Sequence, residues 1–185
     1  RLNASGRLEA PSLDLVTCLA LCDRMYRATK GAFDPTVQPL WDLHARSAVR
    51  NRPATDDEIA AALALTGWKG VKIDSARIEM RSGMALTLNG GAQGFIADRV
   101  AELLRGHGVE NVLIDTGEIA ALGHGPDGKA WPVTIRDGRE LALRDRALAT
   151  SAPLGTVLDT AGTIGHIIDP TSGRPAGSQW RQISV

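Results

Sequence analysis

An α+β fold, with antiparallel or mixed sheets and helices packed on one face, follows from three observations on this chain of 185 residues. Apolar residues recur at helical spacing before residue 70, the period shortens to two after it, and from Trp131 onward strand and turn patterns alternate. Only one helical pattern, after the glycine-rich turn Asn89 to Gly94, interrupts the strand-rich part. The expected organisation is a single domain over 1–185, with 1–69 mainly helical and 70–185 strand-rich around one helix.

Pro11-Ser12 opens a helix over Leu13 to Ala28, where Leu15, Leu19, Cys22, Met25 and Tyr26 keep helical spacing. Thr29-Lys30-Gly31 ends it. Asp34 is placed to cap a second helix that begins at Pro35 and runs through Val37, Leu40, Trp41 and His44. After the loop Asn51 to Thr55, the pattern Thr55-Asp-Asp-Glu58 is a capping box. It opens a helix from Ile59 to Leu65, which Gly67 closes.

Short strands follow at Val71 to Ile73, Arg77 to Met80 and Met84 to Leu88. A helix from Gly91 or Ala92 to Arg105 is expected to start under an Asn89 cap and to bury Phe95, Ile96, Val100, Leu103 and Leu104. Further strands are expected at Asn111 to Ile114, Glu118 to Leu122, Trp131 to Ile135, Glu140 to Leu143 and Ala147 to Thr150. Three more are placed at Gly155 to Leu158, Gly165 to Ile168 and Arg181 to Val185.

Lys plus Arg balances Asp plus Glu at 21 each, so no global field attracts nucleic acid or an anionic membrane. Binding must come from a local site. Cys18 and Cys22 lie one helical turn apart, a spacing that fits a buried apolar pair better than a zinc knuckle or a Cys-x-x-Cys redox motif. No apolar run has membrane-spanning length, and the opening residues do not form a signal peptide. The chain starts without Met and stops on an alternating segment, which gives the expectation of a fragment lacking parts at both ends.

Polar clusters fall at element junctions, where binding residues concentrate. At Asn89-Gly-Gly-Ala-Gln-Gly94 the glycines permit close backbone approach at a helix start, which serves either an anion or simple packing. The others are Thr29-Lys-Gly-Ala-Phe-Asp-Pro-Thr36, Ala149-Thr-Ser-Ala-Pro153 and Gly165-His-Ile-Ile-Asp-Pro-Thr-Ser-Gly173. Taken singly, Thr150-Ser151 reads equally as turn hydroxyls bonded to their own backbone, and His166 as a structural imidazole.

Taken in order, with Arg1-Leu2-Asn3 before them, these segments resemble the ApbE-like FAD:protein FMN transferases over the whole chain. Asn89 to Gly94, Gly117-Glu118 and Ala149 to Pro153 look most like the NosX branch, associated with nitrous oxide reductase maturation. The resemblance implies Mg²⁺-assisted transfer of FMN from FAD to a threonine or serine hydroxyl of a partner protein, with AMP released. It also implies a periplasmic location and, as one candidate acceptor, a membrane flavoprotein of nitrous oxide reduction.

By the same resemblance Asn3, Gly31, Ala32, Phe33, Thr87, Gln93, Thr150, Ser151 and His166 bind FAD. His166 orients a phosphate or assists proton transfer, and the Gly90 carbonyl is a backbone Mg²⁺ ligand. Asp169 is expected to fix the turn after His166. Two departures weaken the charge pattern: Thr87 stands where the family commonly has Asp, and Gln93 where it has Lys or Glu. The family's Asp-Ala-x-x-Thr metal segment would lie past Val185, so these residues are expected to form a FAD-binding core with impaired transfer. The alternative is a non-catalytic FAD carrier or assembly factor.

Overall fold

The computed structural model describes every residue except Arg136 and Ser178. Two compact units emerge, one of residues 1–90 and 152–182, the other of residues 91–151 and 183–185.

In the first unit, α1 (Leu2–Ser5) leads into β1 (Arg7–Glu9), and α2 (Leu13–Ala28) starts where Ser12 Oγ accepts the Leu15 N–H. Asp34 caps a 3-10 turn over Pro35–Val37 rather than an α-helix, and α3 (Gln38–Val49) continues from it. Pro39, near the start of α3, donates no N–H, so its place in the first turn costs the helix no hydrogen bond. Both reciprocal bonds of the Thr55–Glu58 capping box form at the head of α4 (Asp56–Leu63), which ends two residues before the expected Leu65.

A three-stranded antiparallel sheet sets β3 (Arg77–Met80) between β1 and β2 (Val71–Ile73). Leu19 and Cys22 of α2 pack with Trp68, Ile78 and Leu86 in one core, while Leu40, Ile59, Ala62 and Ile168 form a second under α3 and α4.

Met84 to Leu88 is not a strand. Its backbone is satisfied in another way: Asn3 Oδ1 accepts the Leu86 N–H and Asn3 Nδ2 donates to the Leu86 carbonyl, both at 2.8 Å. The next N–H, of Thr87, donates to the Pro35 carbonyl at 2.8 Å. One side chain thus replaces a neighbouring strand. The expected strands at 155–158 and 165–168 also reduce to isolated bridges, Val157 with Gly165 and Ile168 with Pro175. Side-chain turns at Asp159 and Asp169 draw these segments into short loops, so no ladder extends beyond one pair.

The second unit is built on α5 (Ala92–Gly106) and a sheet in which β5 (Ile119–Leu122) lies between β4 (Val112–Asp115) and β8 (Arg146–Leu148). Ala97 and Ala101 of α5 meet Ala120 and Leu122 on one face of β5, and Ala121 turns to the other face. There it packs with Val133 and Leu143 of the hairpin β6 (Trp131–Thr134) and β7 (Glu140–Leu143). Burial on both faces explains why β5 reads as an unbroken apolar run.

Three expectations for α5 are corrected. Gly91, not Asn89, is the N-cap, and no side chain caps the helix. Ile96 and Leu103 are 51% and 61% exposed, because the small alanines carry the contact with the sheet. The strand expected at Ala147 to Thr150 divides into β8 and β9 (Thr150–Ser151), and the one expected at Arg181 to Val185 shortens to β10 (Ile183–Ser184), which pairs antiparallel with β9. The observed class is α+β, with small antiparallel sheets and helices as expected.

Candidate functional site

Three of the expected FAD-side residues, Asn3, Phe33 and Thr87, come together in the first unit with Gly90, the expected metal ligand. Asn3 holds Leu86, beside Thr87, and Thr87 is tied to Pro35, two residues after Phe33. The Phe33 ring in turn lies so close to Gly90 that a Cβ there would stand 3.2 Å from Phe33 Cε2. A side chain at 90 would crowd this approach, and glycine leaves it open. Both polar atoms of the Asn3 amide are engaged by Leu86, so this residue shapes the wall through the backbone it holds.

Gly31 and Ala32 sit in the turn that delivers Phe33. Thr29 Oγ1 donates to the Met25 carbonyl at 2.8 Å and accepts the Phe33 N–H at 3.0 Å, which ties the turn to the end of α2. The second half of that motif is structural. Thr36 is 0% exposed; its hydroxyl donates to Asp34 Oδ1 at 2.6 Å and accepts the Gly67 N–H at 2.7 Å.

His166 stands on the later loop of the same unit, half-buried. Its backbone N–H donates to the Thr156 carbonyl at 3.1 Å, and its ring Nδ1 lies 2.9 Å from the same oxygen. A carbonyl only accepts, so Nδ1 carries a proton, and in the neutral form of the ring the lone pair lies on Nε2. Asp169 fixes the following turn as expected, accepting the Thr171 N–H at 2.9 Å and the Ser172 hydroxyl at 2.6 Å. Those bonds, the Ser172 hydroxyl foremost, hold its carboxyl below the ordinary range.

Gln93, Thr150 and Ser151 belong to the second unit. Gln93 Nε2 lies 3.4 Å from the Thr116 carbonyl, a long contact. Glu118 Oε2 accepts the Thr150 N–H at 3.2 Å, and the Thr150 hydroxyl meets that of Ser184 at 2.9 Å. At the head of α5, the N–H groups of Ala92, Gln93 and Gly94 have no acceptor among the described residues, and a Cβ at Gly91 or Gly94 would meet open space. Such a helix start can receive an anion.

Sequence reasoning missed two residues. His44, 8% exposed, donates from Nε2 to the Gly173 carbonyl at 2.8 Å and so anchors the loop that follows His166. Asp159 organises the loop that precedes it. The cue for Asp159 was its place in Asp-Thr-Ala-Gly, a turn-forming composition.

Two hollows, about 270 Å³ along α5 and about 380 Å³ beside β1 to β3, are lined by none of the expected site residues. For a metal, the Gly90 carbonyl accepts no hydrogen bond among the described residues and is available as one neutral ligand. No group of three His, Cys, Asp or Glu side chains is placed to hold an ion among those residues. One carbonyl without a carboxylate does not make a magnesium site by itself.

The ApbE family profile matches residues 1–185, and the chain belongs to this family. It is 31% identical over 189 residues to the FAD:protein FMN transferase of Vibrio cholerae, covering 95% of this chain and 57% of that protein. The Haemophilus influenzae FAD:protein FMN transferase is 27% identical, over 100% of this chain and 60% of its own length. Among solved structures, the apo form of the Pseudomonas stutzeri flavinyl transferase ApbE superposes with a TM-score of 0.86 at 28% identity, over 100% of this chain and 60% of that one. The chain therefore spans about three-fifths of the length of these relatives.

Proposed function

We propose that the protein transfers FMN from FAD to a threonine or serine hydroxyl of a partner protein. The observation that carries this reading is the convergence of Asn3, Phe33, Thr87 and Gly90, distant in sequence, on one wall of the first unit. Similarity to the named transferases over nearly the whole chain supports it.

In the reaction, the acceptor hydroxyl oxygen bonds to the FMN phosphorus, the pyrophosphate bond breaks and AMP leaves. Catalysis of this kind rests on positioning and charge stabilisation. Phe33 and the Gly31–Ala32 turn hold the flavin nucleotide against the backbone of Gly90. The His166 Nε2 lone pair accepts the hydroxyl proton or orients a phosphate. By the family resemblance, Gln93, Thr150 and Ser151 are further FAD contacts.

Mg²⁺ enters this reading from the family resemblance, with the Gly90 carbonyl as the contribution of these residues. They do not fit a complete metal site, and no step here runs through the ion. The NosX branch, a periplasmic location and an acceptor in nitrous oxide reduction are parts of the same proposal, supported by Asn89 to Gly94, Gly117-Glu118 and Ala149 to Pro153.

A non-catalytic FAD carrier or assembly factor is the second reading, favoured by Thr87 and Gln93 in place of charged residues. AMP release separates the two. The full-length protein, given FAD, Mg²⁺ and an acceptor protein, is expected to release AMP, and a carrier would bind FAD without doing so.

A further inference from the structure

We propose that Asp159 is a positioning residue for the reaction, holding His166 in its Nδ1–H tautomer through the loop that carries Thr156. This rests on the flavin-transfer reading. The carboxylate gathers the tip of the loop: Oδ1 accepts the N–H of Thr163 at 2.9 Å and of Ile164 at 2.7 Å, and Oδ2 accepts the Thr163 hydroxyl at 2.7 Å. The two sides then close by Leu158 N–H to the Ile164 carbonyl at 2.8 Å and by the Val157–Gly165 bridge. One residue further, the Thr156 carbonyl receives both the backbone N–H and the ring Nδ1–H of His166.

Only a ring protonated at Nδ1 can donate to the Thr156 carbonyl beside the backbone N–H, and in the neutral ring that tautomer leaves Nε2 free to take a proton. The pair is a single bridge with no strand beyond it, so the ladder contributes little of the loop's rigidity. The Asp159 bonds supply it instead. They also hold the Asp159 carboxyl below its ordinary range, the Ile164 N–H foremost, as expected for an acceptor of several donors.

The test compares Asp159→Ala and Asp159→Asn with the unmodified protein, each checked for folding by its thermal melt. Asparagine keeps the Oδ1 acceptor and is the conservative control. Nitrogen-15 NMR of the imidazoles reads the tautomer, with His166→Gln assigning its signal among the four histidines. Expected are an Nδ1–H ring in the unmodified and Asn forms and a mixed, solvated-type ring in the Ala form. Transfer kcat should fall about 10- to 100-fold in the Ala form, the scale of a misplaced catalytic group, with FAD KM changed by less than about twofold. An Ala form that keeps the Nδ1–H ring overturns the proposal, whatever its activity. So does one that loses the tautomer at unchanged kcat. If no form transfers FMN, the functional reading fails, and with it the role in the reaction. The tautomer result still decides separately whether Asp159 sets the ring.

Discussion

His44 and His166 each place one ring nitrogen on a backbone carbonyl, yet their surroundings separate their roles. His44 is buried, with Nε2 bonded to Gly173, and its replacement leaves that carbonyl unpaired. His44→Ala is expected to cost about 1–3 kcal/mol in urea unfolding. His166 keeps Nε2 free, so His166→Ala should instead lower the transfer rate by about 10²- to 10⁴-fold while the protein stays folded. Unchanged rate and unchanged FAD affinity would remove the residue from the site. The cysteines carry no such chemistry: both thiols are buried, and burial pushes Cys22 up to about 12. Neither thiol should react with a disulfide reagent at neutral pH until denaturant is added. Their spacing in the sequence already pointed to an inert pair.

Among the elements, α4 was the most legible, because a capping box writes both its partners into four consecutive residues. Arg52 first, then the Thr55 N–H, lower the Glu58 carboxyl to about 2 from its ordinary 4.5. A depressed carboxyl stabilises the fold above the unfolded value and loses that contribution as pH falls. The melting-temperature gap between the native protein and Glu58→Gln is therefore expected to be full at neutral pH and to close between pH 4.5 and about 2. Met84 to Leu88 was misread for the opposite reason. A backbone satisfied by the distant amide of Asn3 has the composition of a strand but no strand beside it, and periodicity carries no trace of such a partner. The α5 face was misread because Ala97 and Ala101 make the contact with the sheet, while the larger Ile96 and Leu103 face outward.

At the scale of the whole chain, the order of the motifs was legible and their division was not. Asn3, Phe33, Thr87, Gly90 and His166 fall in one compact unit, and Gln93, Thr150 and Ser151 in the other, with the boundary between Gly90 and Gly91 inside the glycine turn. The family resemblance gave Phe33 and Gly90 as site residues, and short motifs, which report local backbone needs, do not show that the Phe33 ring lies beside Gly90. They equally hid Asp159, whose bonds are local but whose consequence is felt at His166. The chain belongs to the ApbE family, and its similarity to FAD:protein FMN transferases supports the proposed flavin transfer. The most direct measurement is mass spectrometry of an acceptor protein after incubation with the full-length protein, FAD and Mg²⁺. One acceptor threonine or serine is expected to gain FMN, with AMP formed in equal amount. FAD bound tightly beside an unmodified acceptor and no AMP would contradict it.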